Sequence, residues 1–130
     1  HANGSKEVVE RLLNLGVDTF TIKSNLRLSA AQRLVPLICS HCSKDASAEE
    51  TELLGLSGKF KTMNAEGCSQ CKSGVIGRIA VLEYMGEDEI KQFIDSPKES
   101  GSFPKRSLKK EVLELAQLGK IDLSEALAFI

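Results

Sequence analysis

The sequence predicts an α+β protein, with helices at both ends and two strands that frame a small four-cysteine lobe in the middle. Three observations carry this expectation. Apolar residues recur three and four apart near the N-terminus and again after residue 87. β-compatible runs lie on either side of the middle. All four cysteines of the 130-residue chain fall in two C-x-x-C hooks, CSHC at 39–42 and CSQC at 68–71.

In order along the chain, KEVVERLLNLG places Val8, Val9, Leu12 and Leu13 on one helical face. Asn3 or Ser5 is positioned to cap that helix, and Gly16 to end it. VDTFTIKSNL is ambiguous: Asp18 can cap a helix, yet Phe20 and Ile22 alternate with polar neighbours as in a strand. A strand is expected over about Ala31 to Val35, with Pro36 near its end. Between the hooks, Ser47 and Glu50 form a capping-box pattern ahead of Thr51 to Leu54, which predicts a short helix. Lys59 to Met63 reads as a short strand, and Leu53, Leu54, Leu56, Phe60 and Met63 as the lobe's small core. Arg78 to Tyr84 reads as a second framing strand. Glu87 to Asp95 reads as a helix stopped by Pro97, and residues 98–106 as a polar loop. Ser107 is placed to cap a helix ending at Gly119. Asp122 and Glu125 repeat the capping-box pattern before Leu123, Ala126, Leu127 and Ile130.

Composition narrows the function classes. The chain has no tryptophan and 5% aromatic residues, so its cores must be aliphatic. No apolar run approaches the roughly 20 residues of a membrane helix, so membrane insertion is not expected. No basic segment followed by an apolar stretch opens the chain, so no export signal is expected either. The net charge is −1. Residues 38–78 carry five basic and five acidic side chains, and Phe60 is their one aromatic residue. Nucleic-acid binding needs uncompensated Lys or Arg and stacking surfaces, so it is not expected.

The hooks admit three chemistries. Zinc takes four ligands in a tetrahedron, and two Cys-x-x-Cys turns supply four thiolates at nearly the spacing of a zinc ribbon. Cys39, Cys42, Cys68 and Cys71 are therefore the candidate ligands of a structural Zn2+. Disulfides belong to oxidising compartments. A thioredoxin-like redox pair uses a single hook beside a β-α-β unit. His41 sits inside the first hook, but four thiolates already close the site, and a residue between two ligands points away from the turn. A closed site also leaves no open position for catalysis at the ion.

The stretches HANGSKEVVERLLNLGVDTF, AAQRLVPLICSHC, GCSQCKSGVIGRIAVLEYM and SLKKEVLELAQLGKIDLSEAL together resemble the secretion-traffic ATPases, the hexameric motors of bacterial type II secretion and type IV pilus assembly. The resemblance implies that residues 1–37 are the terminal segment of a RecA-like α/β ATPase domain. Residues 38–77 would be the zinc lobe, and residues 78–130 a return strand with a C-terminal helical subdomain. It implies helix, not strand, over Phe20 to Leu26. His1, with Ala2 and Asn3, resembles the end of the family's histidine box near the bound nucleotide. Ala31, Gln32, Arg33 and Leu34 match the strand entering the lobe, and Gly77, Arg78 and Glu83 the strand leaving it. Ile76 stands where the family usually has an aromatic residue and Pro36 where it often has a basic one, which leaves the secretion and pilus branches equally open.

The resemblance also implies partners: neighbouring ATPase subunits in a homohexamer, and the inner-membrane platform protein of the machine. The expected location is cytoplasmic, peripheral at the inner membrane. No G-x-x-x-x-G-K-[ST] phosphate loop and no Walker B stretch occurs in the 130 residues. Phosphoryl transfer requires a phosphate cradle and a held Mg2+. ATP and Mg2+ are therefore expected only in a full-length parent, and no residue of this stretch is expected to be catalytic. An independent zinc-ribbon adaptor for protein or nucleic acid is the alternative reading.

Overall fold

A computed structural model describes residues 3–53 and 55–129, without the side chains of Leu53, Pro97, Glu99 and Ser100. His1, Ala2, Leu54 and Ile130 lie outside the described residues, and with them the histidine-box reading of His1. The elements are α1 (Ser5–Asn14), α2 (Thr19–Asn25), β1 (Leu28–Ile38), β2 (Lys44–Asp45), α3 (Ala48–Leu53), β3 (Lys61–Thr62), β4 (Val75–Gly86), α4 (Glu87–Asp95), a 3-10 turn (Pro97–Ser102), α5 (Leu108–Gln117) and α6 (Leu123–Leu127). β1 pairs with β4, and β2 with β3. The architecture is α+β, as expected. The chain divides into two compact units, His1–Arg33 with Leu82–Leu108, and Leu34–Val81 with Lys109–Ile130.

The first unit is built on an apolar core of Val9, Ile22, Met85, Ile90, Phe93 and Phe103, flanked by Leu12, Leu13, Val17, Leu26 and Ile94. α1 ends where Gly16 was expected to end it. The Gly16 N–H donates to Leu13 O and the Val17 N–H to Leu12 O, the paired bonds of a Schellman stop. Its start differs from expectation. Gly4 occupies the cap position without a side-chain cap bond, and the Ser5 N–H is taken by a distant carboxylate, Glu83, at 2.5 Å.

Residues 19–25 are helical, as the family resemblance implies and the alternation does not. Asp18 caps α2 by accepting from the Thr21 N–H at 2.8 Å. Ile22 is 3% exposed and Phe20 78% exposed. Two residues apart on a helix lie on nearly opposite faces, so the apparent alternation never describes one buried surface. α4 matches the expected span. Beyond it, the polar stretch at 98–106 is partly organised, since Pro97 opens a 3-10 turn through Ser102 instead of a plain loop.

The framing strands run longer than the sequence suggests, since β1 covers Leu28–Ile38 around Pro36 and β4 covers Val75–Gly86, and only their stretches 34–38 and 75–81 belong to the second unit. A proline is tolerated in such a strand where its missing N–H faces away from the partner. The capping box forms reciprocally: the Ser47 N–H donates to Glu50 Oε2 at 3.0 Å, and the Glu50 N–H to Ser47 Oγ at 3.2 Å. β2 was not anticipated. It pairs antiparallel with β3, Lys44 opposite Thr62 and Asp45 opposite Lys61. An ion pair of 2.6 Å joins Lys61 to Asp45. α5 stops at Gly119 by the same paired bonds, Gly119 N–H to Ala116 O and Lys120 N–H to Leu115 O. Buried apolar residues of this unit include Val35, Ile38, Phe60, Val81, Val112, Ala116, Ile121, Leu123 and Ala126. Met63 is a correction: it is 38% exposed, and of the five lobe residues expected as core only Phe60 is fully buried, with Leu56 half-buried and the side chains of Leu53 and Leu54 outside the described ones.

Candidate metal centre

Each hook is held by the backbone before any sulfur is considered. The Cys39 N–H, just past β1, donates to Gly74 O at 2.8 Å, just before β4, and the Ser43 N–H closes the first hook onto Cys39 O at 3.0 Å. The second hook closes through the Cys71 N–H to Cys68 O at 3.3 Å. It then reverses in a two-residue turn, with Lys72 and Val75 exchanging both bonds at 3.1 Å. Ser73 and Gly74 both have positive φ, 52° and 86°, the backbone signature of a type I′ turn. A side chain at Gly74 would also collide with Asn64 O at 2.4 Å.

These turns bring all four sulfurs together. Every pair of Sγ atoms among Cys39, Cys42, Cys68 and Cys71 lies within 4.8 Å. Cys39 and Cys68 are 3.8 Å apart, Cys42 and Cys71 3.7 Å, and Cys68 and Cys71 3.7 Å. A disulfide would need about 2.05 Å, and all four cysteines are free. A tetrahedron with metal–sulfur bonds of ~2.3 Å has sulfur–sulfur edges of about 3.8 Å. The donor set therefore fits one tetrahedral ion in both number and spacing. His41, inside the first hook, is exposed and stands outside the cluster, as expected.

The surroundings set the sulfurs apart in acidity. N–H groups of Cys68 and Gln70 point at Cys71 Sγ (3.2 Å) and Cys68 Sγ (3.4 Å). Burial, reinforced by the neighbouring sulfurs, pushes the Cys42 thiol up to about 12. The Gln70 N–H lowers Cys68, but burial and the adjacent thiols leave it raised. Burial also opposes ionisation of Cys71, yet the N–H groups of Cys68 and Gly74 and the nearby thiols bring it down to about 7. Cys71 thus parts with its proton more readily than Cys42 and Cys68, which resist losing theirs. A divalent cation relieves that resistance by replacing protons among the sulfurs.

Comparison with known proteins now places the chain. The family model described as type II/IV secretion system protein matches residues 1–128. The chain belongs to that family. It is 37% identical over 91 residues to a type IV pilus assembly ATPase PilB of Pseudomonas aeruginosa, covering 65% of this chain and 16% of that protein. It is 34% identical over 88 residues to a type II secretion system protein E of Pectobacterium carotovorum, covering 65% and 18%. With a PilB of Thermus thermophilus it shares 29% identity over 143 residues, 98% of this chain and 16% of that protein. The chain thus spans less than a fifth of the length of these secretion-family relatives. No helix among the described residues is long and apolar enough to cross a membrane.

A second cluster carries a residue that the sequence placed on the leaving strand without a role. Glu83 is 5% exposed. Its Oε1 accepts from the Ser5 N–H and from Ser5 Oγ at 3.0 Å, and its Oε2 accepts from the Leu108 N–H at 2.8 Å. Ser29 Oγ donates to Ser5 O at 2.6 Å. One carboxylate therefore serves the first N–H groups of α1 and α5, where helix dipoles favour negative charge. The period-2 pattern was the available signal, since Glu83 shares the inward face of β4 with Val81 and Met85.

Proposed function

We propose that this chain is the zinc-binding and helical C-terminal region of a bacterial type II secretion or type IV pilus assembly ATPase. The observation that carries the reading is the four-sulfur cluster, with tetrahedral edges, inside a chain of this family. Cys39, Cys42, Cys68 and Cys71 hold a structural Zn2+, which supplies a cross-link between the two hooks. The region stiffens the parent motor, contributes to contacts between neighbouring subunits of a homohexamer and offers a surface to the inner-membrane platform protein. Residues 1–37 form the end of a RecA-like domain, with His1 closing its histidine box. Residues 38–77 form the zinc lobe, and residues 78–130 the return strand and helical subdomain. ATP and Mg2+ act in the full-length parent at the cytoplasmic face of the inner membrane.

The purified chain tests this directly. It should carry one zinc per molecule, hydrolyse no ATP above background and co-purify with the platform protein of its machine. Cys39→Ser should abolish that capture. A chain that ignores the platform protein but binds nucleic acid in a salt-sensitive way would instead be a zinc-ribbon adaptor.

A further inference from the structure

The segment that turns from α5 into α6 touches the approach to both hooks. The Lys120 carbonyl accepts from the Ile38 N–H at 3.0 Å, one residue before Cys39. Asp122 Oδ2 accepts from the Met63 N–H at 2.5 Å. Lys61, two residues earlier, forms a parallel bridge with Asp122. From Met63 the path to the second hook is short. The Gly67 N–H, next to Cys68, donates to Asn64 O at 2.9 Å. Asn64 and Met63 in turn leave no room for a side chain on Gly74, whose carbonyl holds the Cys39 N–H. Asp122 keeps its other oxygen for α6, accepting from the Ser124 N–H at 2.7 Å.

We infer that residues 120–122 are a clasp for the metal centre, with Asp122 the positioning residue that links seating of α6 to closure of the four-thiolate cage. Asp122 touches no sulfur. It fixes the β3 strand leading to the second hook, while Lys120 fixes the end of β1 leading to the first. The four sulfurs close on an ion only when both approaches are in register, so each end of this path biases the other. Such coupling is reciprocal: if zinc favours the seated helix by some factor, the seated helix favours zinc by the same factor. The inference rests on the metal reading given above and adds a residue outside the ligand set that tunes affinity.

The experiment is zinc affinity by competition with a chromophoric chelator, alongside amide hydrogen exchange across residues 118–129. Three proteins are compared: wild type, Asp122→Ala and Glu125→Ala. Asp122→Ala should weaken zinc binding by about tenfold, within the usual range of coupling between sites. Removing zinc from the wild type should speed exchange at residues 121–127. Glu125→Ala perturbs the same helix without the bond to Met63 and should leave zinc affinity unchanged. Asp122→Asn, which keeps an oxygen for Ser124, covers the case in which the alanine variant does not fold, and should also weaken zinc. Wild-type affinity in both Asp122 variants, with α6 exchange indifferent to zinc, would overturn the clasp. Failure of the wild type to bind zinc at all would overturn the metal reading itself.

Discussion

The two compact units are held together in different ways. The first is an apolar core in which Phe93, Phe103, Met85 and Ile90 are nearly fully buried, with one buried carboxylate, Glu83, satisfying two helix starts. The second buries Val35, Ile38, Val81, Val112, Ala116, Ile121, Leu123 and Ala126 on its framing strands and C-terminal helices, but between its hooks Phe60 is the only fully buried side chain among the described residues. A segment of that size cannot offset its chain entropy by burial alone. The contrast is between cores spread over many contacts and the stretch between the hooks, which the proposed metal would hold at a single point. It should therefore be possible to dismantle either unit without the other.

Metal removal should do the most damage. Structural zinc contributes on the order of 10–16 kcal/mol of apparent binding energy in small domains. A strong chelator, or Cys39→Ser, should abolish amide protection at residues 38–75 while α1, α2 and α4 keep theirs. Equal loss in both units would break the comparison. On the other side, Phe93→Ala should cost about 3–5 kcal/mol. It should lower the denaturation midpoint of the first unit, leaving zinc stoichiometry at one. Glu83→Ala comes next, at about 3 kcal/mol, because it strands the buried N–H groups of Ser5 and Leu108. Exchange at those two amides should rise most. Asp18→Ala is the smallest, the loss of one helix cap, visible as faster exchange confined to α2.

Acid should separate the units as well. Hydrogen bonds from Thr21 hold the Asp18 carboxyl below its ordinary value of 3.8. Lys91 and Arg27 do the same for Glu87 below 4.5. Such groups contribute stability that is fully present above those ordinary values and lost only as pH falls through the lowered ones. The proposed zinc centre should fail earlier on the way down, because thiolates released from zinc would take up protons near neutrality, so the metal-bound state would bind fewer protons than the open one. Exchange followed during acid titration should show the hooks opening first. Simultaneous opening, or loss of α2 before the hooks, would contradict the account.

What the sequence made legible were features encoded over a few residues. The Ser47–Glu50 box, the stops at Gly16 and Gly119, the span of α4 and the four-cysteine set all depend on local spacing. What it hid depends on the far side of the fold. Ser5 needs no local cap because Glu83, 78 positions away, supplies the acceptor. β2 exists only because β3 returns beside it, since two residues carry no periodicity of their own. Phe20 and Ile22 imitate a strand because alternation over four or five residues cannot tell a half-exposed helix from a sheet edge. Met63 looks like core by composition, yet its backbone, through the bond to Asp122, is the part that matters.

X-ray absorption at the zinc edge of the purified, reduced chain reads out the ligand shell of the four-cysteine site itself. Four sulfur neighbours at about 2.3 Å are predicted. Fewer than four sulfurs, or nitrogen or oxygen in the shell, would contradict the account.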